Sequence, residues 1–146
     1  MTHQQAPNHL RELFDPTTIA RYCHREDIQL LVLFGSLASE TAVSRRDVDL
    51  AVQMRRGVQA DKLRLIFDLE EIFDPYRVDL VILTPLTSPL LLHEIFSRGI
   101  ALYEGAAGEL GNARLRAWKL YQDAAPLRRL EKKALESFVR RIRNVS

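Results

Sequence analysis

Unbroken apolar runs alternate along this chain with stretches in which apolar residues recur every three or four positions. "IQLLVLFG" (28–35) is an apolar run between a charged pair and a glycine, the pattern of a strand covered on both faces. "DVDLAVQM" (47–54) and "RVDLVIL" (77–83) read as the second and third strands, and "IALYE" (100–104) as a short fourth. "FDPTTIARYCHRED" opens a helix, with Asp15 as N-cap and Pro16 where the first helical N–H has no partner anyway. Residues 36–42 predict a short helix beginning at Ser36. "QADKLRLIFDLEEIFD" (59–74) sets Leu63, Ile66, Leu69 and Phe73 near helical spacing, and Pro75 ends it. "TPLTSPLLLHEIFSRG" holds another helix, capped by Ser88, with Pro89 in its first turn and Gly99 as its stop.

After the junction "GAAGELG" the pattern is helical to the end. Leu127, Leu130, Ala134, Phe138 and Ile142 fall on one face, while Arg128, Lys132, Lys133, Arg140 and Arg143 crowd the others. Pro126 is expected to divide this tail into two helices. Strands alternating with helices predict an α/β (α+β) domain: a mixed sheet of about four strands, helices packed on one face, and a C-terminal helical tail. The expected division is a domain over 1–105 and an extension over 106–146 that packs on the domain or on a partner.

Composition changes this picture little. Of 146 residues, 47% are apolar and 27% charged, as in ordinary globular proteins. Charge distribution is more telling. Residues 1–104 carry 11 Lys/Arg against 15 Asp/Glu, net −4, and residues 105–146 carry 10 against 4, net +6. An acidic body joined to a basic tail suggests a partner surface. The single cysteine, Cys23, cannot form an intrachain disulfide and suits a reducing compartment. "MTHQQAPNHL" lacks a basic segment followed by an apolar core, and no apolar run reaches the roughly 18 residues that span a membrane. A cytoplasmic protein is expected.

The candidate chemistry lies in "LFGSLASETAVSRRDVDLAV" (33–52). Strand side chains alternate between faces, so Asp47 and Asp49 point one way and Val48, Leu50 and Val52 the other. Asp79, between Val78 and Leu80, repeats the pattern. If the second and third strands are neighbours, three carboxylates meet on one patch. Crowded like charges need a cation between them, and Mg²⁺ favours a few carboxylates together with substrate phosphates. Two such ions can clamp the attacking and leaving oxygens of an in-line displacement at phosphorus. Gly35 ends a strand and lets the backbone approach a phosphate, and Ser36 adds a hydroxyl at the start of the next helix. No GxxxxGK[ST] loop occurs.

This arrangement resembles the minimal nucleotidyltransferases of the DNA polymerase β superfamily, whose signature is GSxxxG followed by [S]DxD and a later strand aspartate. Gly35, Ser36, Asp47, Asp49 and Asp79 match it, over roughly residues 15–105. The family usually has glycine where this chain has Glu40 and serine where it has Arg46. The resemblance implies transfer of a nucleoside monophosphate from a nucleoside triphosphate to a hydroxyl. Asp47 and Asp49 would hold Mg²⁺, Asp79 the second ion while also activating the acceptor as a base, and Gly35 and Ser36 would bind the triphosphate. In the resembled family the partner is commonly a small helical HEPN ribonuclease toxin. The implied function is that of its antitoxin, a protein adenylyltransferase that moves AMP from ATP to a toxin tyrosine. Two alternatives stand beside it: an antitoxin that acts by binding alone, and a small-molecule nucleotidyltransferase of the aminoglycoside-modifying kind.

Other polar residues read more simply. Asp68, Glu70, Glu71 and Asp74 form a solvated helix face, and His93 is a structural histidine. Cys23 is a small core residue, and Trp118 and Tyr121 are packing residues. The basic tail is a solvated face, a protein-docking surface or a nucleic-acid contact. Aromatics are not interleaved with its charges as in single-strand binders, so direct nucleic-acid binding is not expected. An oligomer with the partner is.

Overall fold

The computed structural model describes residues 13–38 and 47–145. Five α-helices and four strands are formed there: α1 (Pro16–Arg25), β1 (Ile28–Phe34), β2 (Asp47–Met54), α2 (Lys62–Ile72), β3 (Arg77–Ile82), α3 (Pro89–Arg98), β4 (Ile100–Glu104), α4 (Glu109–Asp123) and α5 (Ala125–Val145). The helix expected over 36–42 is a single 3-10 turn, Gly35–Ala38, among the described residues; positions 39–46, with Glu40 and Arg46, lie outside them.

The helix signals act as the chain chemistry dictates. Asp15 accepts from Thr17 N at 3.1 Å, and Pro16 opens α1. Asp61 accepts from Arg64 N at 3.3 Å, and Ser88 from Leu91 N at 3.2 Å. Each side-chain oxygen satisfies an N–H that the helix itself leaves orphaned. Helix α3 stops at Gly99. The tail divides between Asp123 and Ala125, with Pro126 in the first turn of α5.

The sheet order is β3-β2-β1-β4. β1 pairs antiparallel with β2 and β4, while β2 and β3 run parallel; the sheet is mixed, as expected. Helices cover both of its faces rather than one. Leu31, Leu33, Val48, Leu50, Val78 and Leu80 pack against Ile19, Tyr22 and Cys23 of α1 and Leu65 and Leu69 of α2. Leu30, Val32, Phe34 and Ala51 point oppositely and pack against Ile95 and Phe96 of α3 and Leu110, Ala113 and Ala117 of α4. A strand buried on both sides must be apolar at every position, which is why β1 shows no alternation. The first helix of the tail is therefore part of the core, whereas α5 has no buried residue among those described.

Polar contacts tie the helices together at their rims. Tyr22 donates its hydroxyl to Asp68 at 2.9 Å, linking α1 to α2, and Arg64 meets Glu26 at 2.7 Å. On the other face Arg114 of α4 donates to the carbonyls of Phe96 and Gly99 at 2.8 and 3.0 Å. A guanidinium at that helix end supplies donors to carbonyls that have none. His93 stacks on Tyr121 at 3.9 Å, and the Arg128 guanidinium lies 3.7 Å from the same ring, consistent with a structural role for that histidine.

Candidate active site

Strand pairing decides where the three aspartates go. In the parallel β2–β3 pair Asp49 is the register partner of Asp79, and Asp47 that of Arg77. Register partners in a parallel ladder point to the same face from backbones roughly 4.8 Å apart. Asp47, Asp49 and Asp79 therefore share the face of Ala51 and Val81, opposite that of Val48, Leu50, Val78 and Leu80. Asp47 and Asp79 are exposed and Asp49 is half-buried.

The Gly35 turn belongs to the same patch for a structural reason. Phe34, the last residue of β1, is the register partner of Asp49, so the chain must turn directly beside that aspartate. Gly35 does so with φ at +74°. A Cβ built there would collide with Asp49 Oδ2 and stand 3.1 Å from its Cγ. Glycine is thus required twice, for its left-handed backbone and for the space that the carboxylate occupies. The following 3-10 turn is only four residues long, so its dipole is weak; what it offers an anion is the N–H groups of Gly35, Ser36 and the residues after them.

Arg77 is a member that the sequence pattern does not single out. It stands beside Asp47, exposed, with no ion-pair partner among the described residues. Only the parallel register reveals it, because nothing in "YRVDLV" says which residue will neighbour Asp47. Among the described residues no group of three or more His, Cys, Asp or Glu side chains is placed so as to hold a metal ion. Asp47, Asp49 and Asp79 are carboxylates on neighbouring strand positions, two of them exposed. Their chemistry fits a hard cation that keeps several waters and shares substrate phosphates.

The mixed sheet, the glycine turn and the DxD strand beside a third aspartate are the arrangement that the resemblance to nucleotidyltransferases implied. The family comparison agrees: residues 17–107 match the family described as polymerase beta, nucleotidyltransferase, and the chain belongs to that family. No curated protein sequence matches it. Solved structures do. A chain of a toxin–antitoxin complex with AMP-PNP superposes with a TM-score of 0.69 at 22% identity, covering 84% of this chain and 99% of that one. A chain of a mutant MntA–HpeT toxin–antitoxin complex gives 0.67 at 20% identity, over 84% and 99%. A third, from a tri-AMPylated Shewanella oneidensis HEPN toxin in complex with MNT antitoxin, gives 0.64 at 21%, over 83% and 95%. At these identities the likeness is one of fold. Among the described residues no helix is long and apolar enough to cross a membrane.

Proposed function

We propose that this protein is the antitoxin of a HEPN/MNT pair, a Mg²⁺-dependent adenylyltransferase that moves AMP from ATP to a tyrosine hydroxyl of a HEPN toxin. The observation that carries the proposal is the contact between the Gly35 turn and Asp49, with Asp79 in register beside it. The similar folds support it, since they come from toxin–antitoxin complexes, one with AMP-PNP and one with an AMPylated toxin.

Asp47 and Asp49 would hold Mg²⁺, with Asp79 contributing to a second ion. Bound there, the metal would neutralise triphosphate charge and polarise the α-phosphorus. The chain's own residues supply the rest. N–H groups at Gly35 and Ser36 orient the triphosphate, and the Arg77 guanidinium offers charge-assisted hydrogen bonds to a phosphate oxygen. Asp79, exposed on the edge strand, accepts the acceptor's proton as its oxygen bonds to the α-phosphorus. The bond from that phosphorus to the bridging oxygen breaks, and pyrophosphate leaves.

The test is incubation with radiolabelled ATP, Mg²⁺ and the toxin encoded beside the gene. Label should appear on the toxin and vanish with Asp47→Ala. Equal labelling by both forms, or none by either, removes the enzymatic proposal. A second reading, neutralisation by binding alone, is favoured by Glu40 and Arg46 standing where the family usually has glycine and serine. It predicts a tight toxin complex and no heat of ATP binding in calorimetry.

A further inference from the structure

The face of the sheet that carries the aspartates also carries a cavity that Asp47, Asp49 and Asp79 do not line. Its volume is about 890 Å³, and it lies between the C-terminal ends of β2 and β3, the 55–60 turn, and helices α3 and α4. Leu83, Leu92, Phe96 and Leu120 line it, and none of the three aspartates does. Asp79, Val81 and Leu83 follow one another on one face, and Ile82 and Leu83, three and four residues beyond Asp79, line the cavity, about 10–13 Å along the strand. Pockets of this size with apolar walls and a few polar groups are the usual form of small-molecule sites.

The rim states what kind of molecule fits. Arg55, Arg56 and Arg116 all line the cavity. Arg55 is already engaged, by Asp27 at 3.6 Å and His24 at 3.3 Å. Arg56 and Arg116 are exposed and have no ion-pair or hydrogen-bond partner among the described residues. Among the described residues no Asp or Glu lines the cavity. Two uncompensated guanidiniums over an apolar floor repel a polycation such as an aminoglycoside and attract an anion.

We propose that this cavity binds a small organic anion with an apolar body: an acyl chain or aromatic ring seated against Leu83, Leu92 and Phe96, its acidic group held by Arg56 and Arg116. The site is separate from the carboxylate patch, and the proposal stands whether or not the protein is an antitoxin.

Isothermal titration of the full chain with decanoate, below its micellar range, tests it, with decanol as the uncharged body. Decanoate should bind one equivalent, at least tenfold more tightly than decanol. The double variant Arg56→Gln/Arg116→Gln should weaken decanoate at least tenfold and leave decanol unchanged. Both positions are exposed, so the fold should persist, and unchanged circular dichroism melting confirms that. Phe138→Ser, on the apolar stripe of α5, should change nothing, and saturating ATP with Mg²⁺ should not compete. The proposal is overturned by absence of saturable binding, by equal affinity for decanol, by an unaffected double variant, or by loss of binding in Phe138→Ser. Displacement by ATP would also overturn it, because the cavity would then belong to the nucleotide site.

Discussion

Gly35 and Gly57 make a matched pair at the scale of single residues. Both have positive φ, +74° and +83°, but a Cβ at Gly57 meets nothing within 4 Å whereas one at Gly35 strikes Asp49. Gly57→Ala should therefore cost only the left-handed penalty, about 1–2 kcal/mol in urea unfolding. Gly35→Ala should cost more and should also cut the proposed AMP transfer by about 100-fold or greater, since it displaces a proposed metal ligand. Equal stability losses and equal transfer rates for the two variants would contradict the close approach. Cys23 makes a second, independent case. Burial pushes its thiol up from the ordinary 9.0 to about 12. The unfolded chain sheds this proton near pH 9 while the folded chain keeps it, so stability falls as pH rises from about 9 to 12, by up to about 1.4 kcal/mol per unit. Tyr22 is shifted the same way, by burial and then by its hydrogen bond to Asp68. Cys23→Ala should flatten the alkaline limb of the stability curve measured by urea titration across that range, and the native thiol should resist alkylation at pH 8.

Elements are where the sequence is most legible, because their signals are local. The Asp15, Ser88 and Gly99 boundaries, the Pro126 break and the apolar run of β1 each follow from a residue and its immediate neighbours. What escapes is non-local. Nothing near residue 79 announces that β3 runs parallel to β2 in the one register that sets Asp79 against Asp49 and Arg77 against Asp47. Nor does local pattern say that α3 and α4 close the second face and leave a cavity at its far end. Of the helix expected over 36–42, a 3-10 turn at Gly35–Ala38 falls within the described residues. Edge strand β3 shows another device invisible in sequence. Its N–H at Val78 is taken by Glu70 Oε1 at 3.3 Å, and the N–H of Thr84, two residues past its end, by Thr87 Oγ1 at 3.0 Å, which shortens the edge open to stray pairing. Arg114 joins α4 to the end of α3 with two partly buried, charge-assisted bonds. Arg114→Met keeps the aliphatic stem and orphans two carbonyls, so thermal or urea unfolding should show a loss of about 1.5–3 kcal/mol.

At the scale of the whole molecule the two tail helices have opposite fates. Helix α4 buries Leu110, Ala113 and Ala117 against the sheet, so the core extends past residue 107, where the family match ends. Helix α5 instead leaves Leu127, Leu130, Leu135, Phe138 and Ile142 each more than half exposed. A contiguous apolar stripe rimmed by arginines and lysines marks an interaction surface, and these side chains contribute little to holding the isolated chain together. Replacing Leu130 and Phe138 with serine should consequently leave the unfolding free energy of the isolated protein within about 0.5 kcal/mol of wild type. If the stripe docks the proposed HEPN toxin, the same variant should fail to co-elute with it in size-exclusion chromatography, while a variant of the carboxylate patch such as Asp49→Asn still does. A stability loss above about 2 kcal/mol, the size expected for buried leucine and phenylalanine truncations, would show that α5 packs on the body, and undiminished co-elution would place the toxin on another surface.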